Sequence, residues 1–160
     1  MNISAHSDLE IIIVFKDNTS GQEIPVPSYD FALSFYVYTD KVRTVTQTNK
    51  VLPSNCKIVD GRLHIYFDSP DFGVGPLRTR HLLRVPNPDF PDQRRDIVRE
   101  GCLDCNMVEH PCEYSEDPIV TCVVITEEYS IVELLSTEDN KFITTEDGIN
   151  ILLYKDYGRN

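Results

Sequence analysis

Apolar residues recur at every second position along much of this chain, and this alternation strongly limits the folds that it can adopt. Residues 31–38 show it most clearly, because one face of an extended strand there would carry Phe31, Leu33, Phe35 and Val37. The pattern repeats at residues 62–67 and, more weakly, at residues 80–85. Such segments are typical of β-strands that bury one face, so the sequence predicts sheets packed around a shared core.

Two further segments are apolar throughout rather than alternating. Residues 11–15 and 119–125 are short and rich in β-branched side chains, which favours central strands over buried helices. Weaker strand patterns lie at residues 41–48, 131–135, 141–145 and 149–154. Asp60-Gly61 and Asp147-Gly148 each separate two strand patterns and predict tight hairpins. We therefore predict one all-β domain over residues 1–160, an antiparallel β-sandwich of about eight or nine strands.

Residues 87–117 differ from the rest of the sequence. They show little alternation, contain several Pro and Asp residues, and hold three of the five cysteines. Loops of such length are usually functional or mobile. We therefore expect one long cysteine-containing loop inserted into the β-sandwich.

This segment also contains a candidate metal site. Cys102 and Cys105 form a C-x2-C pair, His110 follows, and Cys112 comes two residues later. Thiolate and imidazole are the ligands that tetrahedral zinc prefers, and the C-x2-C-x4-H spacing matches the start of a zinc knuckle. The knuckle's fourth ligand position is occupied by Ser115, so Cys112 would substitute for it if the chain folds back at Pro111; Cys122 is the other candidate, although it lies in an apolar strand and is more simply a core thiol. We expect reduced thiols and no cofactor, and keep a structural zinc as the alternative.

The overall charge of the chain disfavours two classes of partner. The formal net charge is 15 − 26 = −11, whereas phosphate affinity depends on clustered Lys and Arg. No apolar stretch reaches the roughly 18 residues that mark a membrane span. The N-terminal region lacks a basic segment followed by an apolar run, so we expect no secretory signal and synthesis in a reducing cytosol. We expect neither nucleic acid nor membrane as a partner.

One basic cluster is the exception to this acidic average. Six of the 15 basic residues fall within 22 positions, at Arg78, Arg80, Arg84, Arg94, Arg95 and Arg99. On a strand, the first three would share one face. We predict that Arg78, Arg80, Arg84, Arg94 and Arg95 contact a negatively charged partner surface. The alternative is that they pair internally with the abundant carboxylates.

The sequence contains no recognisable catalytic motif. There is no G-x-S-x-G, no H-E-x-x-H, no P-loop and no G-x-G-x-x-G. His6, His64 and His81 are isolated, and two of them alternate with apolar residues as strand residues do. We therefore expect that this protein is not an enzyme.

Several short motifs follow one another in a fixed order between residues 9 and 92. They are Tyr29-Asp-Phe31-Ala-Leu-Ser-Phe35-Tyr36, Asn55-Cys56, Asp60-Gly61, Leu63-His-Ile-Tyr-Phe-Asp68, Gly75-Pro-Leu77 and Pro86-Asn-Pro-Asp-Phe90-Pro91-Asp92. In this order they resemble a family of small β-rich virion proteins from tailed phages of gut Bacteroidota, including the crAss-like phages. Members are often described as head-fibre or baseplate-associated proteins. The family's closing motif ends in glycine, whereas this chain has Gln93.

The resemblance implies a structural role in a phage particle. It implies a head-fibre or capsid-decoration component, made in the host cytoplasm and located in the virion. Its partners would be capsid or fibre subunits, and the chain itself would form a homodimer or homotrimer. Two other functions stay open. One is a carbohydrate- or protein-binding β-sandwich in which Tyr29, Tyr36, Tyr38 and Tyr66 supply aromatic platforms, and the other is a small protein with a structural zinc site.

Overall fold

A computed structural model describes residues 1–109 and 117–126, and these residues form two β-sheets. All of them belong to one compact unit that spans Met1–Glu127. The described strands are β1 (Asn2–Ser4), β2 (Leu9–Asp17), β3 (Glu23–Ile24), β4 (Phe31–Tyr36), β5 (Arg43–Gln47), β6 (Cys56–Val59), β7 (Arg62–Phe67), β8 (Gly75–Pro86), β9 (Arg94–Val108) and β10 (Ile119–Thr126). The predicted all-β sandwich is confirmed for this part of the chain.

The first sheet, called sheet A, has the strand order β1-β9-β8-β4-β5. Its centre is a long antiparallel hairpin of β8 and β9, in which His81 is in register with Arg99. A bulge interrupts that pairing between Pro76 and Arg78. Strand β4 pairs antiparallel with both β8 and β5, as its alternating sequence predicts. At the other edge, β1 pairs in parallel with the last residues of β9.

The second sheet, called sheet B, has the order β10-β2-β7-β6, and the short β3 pairs with β2. Strand β2 lies between β10 and β7, so the apolar run at residues 11–15 is a central strand, as predicted. For the apolar run at residues 119–125, the structure does not show the predicted central strand. Within the described residues, β10 pairs only with β2, and that pairing is parallel. The sheets are therefore mixed rather than purely antiparallel.

The core lies between the two sheets and is built from their inward-facing alternate residues. Leu33 and Phe35 of sheet A, and Ile11 and Ile13 of sheet B, have no exposed surface. Aromatic rings join the sheets, with ring centroids 5.4 Å apart for Phe15 and Phe31 and 5.9 Å apart for Phe35 and Phe67. Burial of the alternating apolar stripes is what holds the sheets face to face.

Tight turns connect the strands where the sequence predicts them. Asp60 and Gly61 have φ values of 50° and 78°, as a two-residue hairpin between β6 and β7 requires, so this predicted hairpin is confirmed. The turn from β8 to β9 closes with a hydrogen bond of 2.9 Å from the Asn87 amide to the Gln93 carbonyl. Gln93 has a φ of 59°, in the left-handed region that glycine adopts most easily.

The prediction that differs most from the structure is the long loop at residues 87–117. Residues 94–108 form β9, a strand of 15 residues. Its apolar alternation is weak because Arg99 and Gly101 occupy inward-facing positions, and this hides the period-two pattern that identifies strands. Residues 110–116 lie outside the described residues. So do the candidate strands at 131–135, 141–145 and 149–154, the turn at 147–148 and the single-domain prediction for residues 127–160.

No helix is present in residues 1–109 and 117–126, and hence none there is long and apolar enough to cross a membrane.

Candidate functional site

The outer face of β8 carries three of the predicted partner-binding arginines. Arg78, Arg80 and Arg84 alternate with the buried residues Thr79 and His81, so all three lie on the side of sheet A away from the core. The prediction that these arginines share one face is confirmed. We call Arg78, Arg80 and Arg84 the basic face.

Local carboxylates neutralise only part of this basic face. Arg80 forms an ion pair with Glu100 on the neighbouring strand, at 3.6 Å, and both side chains are more than half exposed. Arg78 and Arg84 form no ion pair with any carboxylate of the described residues. Exposed ion pairs contribute little to stability, so these cations are available to a partner rather than required by the fold.

The remaining arginines of the sequence cluster are placed differently. Arg94 begins β9 and is paired with Asp92 at 3.2 Å and Asp96 at 3.8 Å. Arg95 is in register with Val85, whose side chain faces the core, so Arg95 belongs to the opposite side of the sheet from the basic face. The five predicted partner-binding arginines therefore do not form one patch.

The structure separates the two described cysteines of the proposed zinc site. Cys102 and Cys105 are three residues apart on β9, and an odd spacing on a strand directs side chains to opposite faces. Cys102 is exposed, whereas Cys105 is buried beside Met107. This placement does not favour chelation of one ion by the C-x2-C pair. His110 and Cys112 lie outside the described residues, so the four-ligand prediction itself stays open.

A cleft between the sheets brings together polar residues that the sequence analysis did not combine. It lies between β8 and β9 of sheet A and β10 of sheet B, has a volume of about 360 Å³, and is lined by Thr79, His81, Arg99, Gly101 and Cys122, among others. We call it the inter-sheet cleft. The His81 Nε2 atom is 3.6 Å from the Cys122 Sγ atom, and this contact joins the two sheets.

Gly101 leaves one position in the lining of the cleft without a side chain. Gly101 is in register with Thr79, whose side chain is buried, so position 101 faces the space between the sheets. A Cβ atom placed there would meet no heavy atom within 4 Å. Most inward positions of the sandwich carry apolar side chains, and this one carries none.

Burial sets the protonation of the Cys122–His81 pair. Desolvation, with a smaller contribution from the positive charge of Arg99, lowers the pKa of His81 to about 4. Desolvation raises the pKa of Cys122 to about 12, although the nearby Thr79 hydroxyl opposes it slightly. Both groups are therefore neutral near pH 7, and the pair lacks the thiolate on which a nucleophilic cysteine depends.

Two side chains of the inter-sheet cleft, Thr79 and Arg99, have N–H or O–H groups that can donate further hydrogen bonds. The Thr79 side chain is buried; its hydroxyl lies near the Cys122 sulfur, a weak acceptor, and no nitrogen or oxygen atom of residues 1–109 and 117–126 forms a hydrogen bond with its Oγ1 atom. Arg99 Nη1 donates a hydrogen bond of 2.6 Å to the Ile125 carbonyl and thereby bridges β9 and β10. Arg99 is half-buried, and no carboxylate among residues 1–109 and 117–126 forms an ion pair with it.

Sequence reasoning missed this cleft for identifiable reasons. In the sequence, His81 and Cys122 lie in separate strand patterns 41 positions apart, and Arg99 belongs to the basic cluster. The available signal was Gly101 inside a strand with charged neighbours, because glycine in a strand often marks a close approach or a ligand. Without β9 as a strand, that signal could not be interpreted.

A second cleft is more acidic and lies on the other sheet. Its volume is about 410 Å³, and its lining includes Asp8, Glu10, Asp68 and Asp117. Across the part of the chain that the structure describes, no group of three or more His, Cys, Asp or Glu residues is arranged to hold a metal ion. Nothing in this second cleft identifies a ligand.

Comparisons with known proteins gave no match: no family model, no curated protein and no solved structure is significantly similar to this chain.

Proposed function

We propose that this chain is a non-catalytic structural protein of a phage virion, a head-fibre or capsid-decoration component that docks on other virion subunits. The ordered motifs between residues 9 and 92 suggest this class of protein. The basic face carries the proposal, because Arg78 and Arg84 have no ion-pair partner among residues 1–109 and 117–126, on a chain with a net charge of −11. An acidic partner surface would complement it.

The strand edges offer a second means of docking. Within the described residues, β10 pairs only with β2, and the portion of β9 before residue 106 pairs only with β8. Unpaired edges of that length can accept a strand from a partner or from another copy of the chain. This supports the proposed homodimer or homotrimer and the proposed contacts with capsid or fibre subunits.

The alternative of a carbohydrate-binding sandwich has less support from the tyrosines. Tyr36 lies on the outer face of sheet A, whereas Tyr66 lies on the outer face of sheet B. Tyr38 donates a hydrogen bond of 2.9 Å to the Val74 carbonyl. These rings do not form one continuous stacking platform, which a sugar-binding surface usually needs.

Particle composition tests the virion role directly. Gradient-purified virions of the phage that encodes this chain would be digested and analysed by mass spectrometry. We expect peptides of this chain in a fixed ratio to the major capsid protein, and the ratio should survive a salt wash of moderate strength. Virions that contain no such peptides would exclude the proposed role.

Charge reversal tests the docking surface. Particles made without this protein would be mixed with purified wild-type protein, with the double variant Arg78→Glu/Arg84→Glu, or with the control Arg43→Glu/Lys50→Glu. Both variants change the net charge equally at exposed or half-exposed residues. We expect only the basic-face variant to lose association with particles. Equal association of both variants would mean that docking uses another surface.

A further inference from the structure

We propose that the inter-sheet cleft binds a small monocarboxylate. The donors of this cleft support the assignment. The cleft is lined by a buried Thr79 hydroxyl that has only the Cys122 sulfur as a weak acceptor, and by a half-buried Arg99 without a carboxylate partner among the described residues. Buried hydroxyls normally donate to an oxygen or nitrogen acceptor, so this hydroxyl, in a cleft that also holds a cation, indicates a missing oxyanion.

The geometry of Arg99 suits an oxyanion. Its Nη1 atom is held by the Ile125 carbonyl at 2.6 Å, which fixes the side chain between the sheets. A guanidinium has five N–H donors, and this is its one hydrogen bond among residues 1–109 and 117–126. The remaining donors can form the paired hydrogen bonds that a carboxylate accepts, while Thr79 can donate another.

Size and charge restrict the ligand to a short monoanion. A volume of about 360 Å³ is at the small end of the range for ligand sites. Glu100 and Asp104 also line the cleft, and the chain as a whole is acidic, so a doubly charged phosphate would be repelled more than a monocarboxylate. The neutral Cys122 and the apolar edges of Val123 and Ile125 can contact a short alkyl chain.

This inference does not rest on the proposed virion role. The docking test changes Arg78 and Arg84, and neither residue lines the inter-sheet cleft. Failure of either experiment leaves the other proposal unchanged.

A titration with sodium propionate tests the proposal. Backbone amide shifts of ¹⁵N-labelled protein would be followed by NMR against sodium chloride at equal ionic strength. We expect saturable shifts at Thr79, Gly101 and Cys122, with half-saturation in the millimolar range. Shifts that rise linearly with propionate, or that chloride reproduces, would overturn it. Sodium phosphate at the same pH should bind more weakly, and equal or tighter binding of phosphate would refute the monocarboxylate assignment.

Two variants connect the binding to the cleft. Gly101→Val fills the space above Thr79, and the structure places no atom where its Cβ would lie, so the variant should fold. Arg99→Gln removes the cation. We expect each to weaken propionate binding by about tenfold or more. The control Arg84→Gln removes a cation that does not line the cleft and should bind as the wild type does. Unchanged affinity in Gly101→Val would contradict the proposal, and retained shift dispersion verifies that the variant is folded.

Discussion

The aromatic centre of the sandwich and the inter-sheet cleft both lie between the two sheets, the first in the interior and the second beside the edge strand β10, and they are built from different side chains. In the centre, Phe35 and Phe67 meet across the sheets with their ring centroids 5.9 Å apart. In the cleft, the His81 Nε2 and Cys122 Sγ atoms meet across the sheets at 3.6 Å. Gly101 also lines the cleft and leaves open space where a side chain would lie. In both regions the strand register points side chains towards the other sheet. In the centre these side chains are apolar and buried, whereas in the cleft they are mostly polar.

The comparison separates two tasks of inward-facing residues. Filled apolar positions stabilise the fold, because close packing removes surface from water and leaves no voids. Inward positions with polar side chains or glycine do not contribute this stabilisation, but they leave space and hydrogen-bond donors for a ligand. The two regions should therefore respond in opposite ways when side-chain volume is changed.

The largest expected effect is the loss of packing in the aromatic centre. Phe35 has no exposed surface, so Phe35→Ala should lower the free energy of unfolding by about 3–5 kcal/mol. The matched change in the cleft is Gly101→Ala, which adds a methyl group to open space and should leave the free energy of unfolding equal or slightly higher. Chemical denaturation of both variants measures the contrast. Similar losses in both would show that the cleft is packed like the core.

The next effect is a dependence of stability on pH that arises in the cleft. The pKa of His81 is about 4 in the folded protein, below its ordinary value of 6.5. Between these two values the unfolded chain binds a proton at His81 that the folded protein does not bind. Stability is therefore complete above pH 6.5 and falls as the pH drops towards 4, by about 3 kcal/mol in all.

The variant His81→Leu isolates this contribution. It cannot titrate, so its free energy of unfolding should change less than that of the wild type between pH 7 and pH 4.5. Hydrogen bonds lower the carboxyl pKa values of Asp17 and Glu23, and these groups lose their contribution below that window in both proteins. Parallel pH profiles for wild type and variant would show that His81 is not buried in its neutral form.

The sequence was a good guide where local pattern and tertiary environment agree. Alternation at Phe31–Tyr36 and Arg62–Phe67 predicted both strands and their buried faces. Asp60-Gly61 predicted the hairpin that joins β6 and β7. These residues have the propensity that their final environment requires, so the local signal and the fold give the same answer.

The sequence was a poor guide where an inward position holds no apolar side chain. Arg99 and Gly101 break the alternation of β9, and a strand without alternation cannot be distinguished from a loop. The inter-sheet cleft was therefore hidden, because it requires β9 to pair with β8, which sets Arg99 and Gly101 beside His81 and Thr79, and Cys122 of β10 to contact His81 from the other sheet. Places where local rules fail are often the places where a fold builds a site.

The smallest effect, and the most specific to the cleft, concerns the Thr79 hydroxyl. Thr79→Val replaces a buried hydroxyl, which has no nitrogen or oxygen partner among the described residues, with a methyl group of similar shape. Without ligand, the variant should unfold with a free energy higher by about 1 kcal/mol, because the desolvation cost of that hydroxyl disappears.

Propionate should reverse part of this gain. A ligand that binds only the folded protein stabilises it in proportion to affinity, and the variant lacks one of the proposed donors. Thermal unfolding in increasing propionate should therefore raise the Tm of the wild type more than that of Thr79→Val, so that the two values converge. If the Tm difference stays constant at every propionate concentration, Thr79 contributes nothing to the ligand, and its unsatisfied hydroxyl is a cost to the fold without a function in binding.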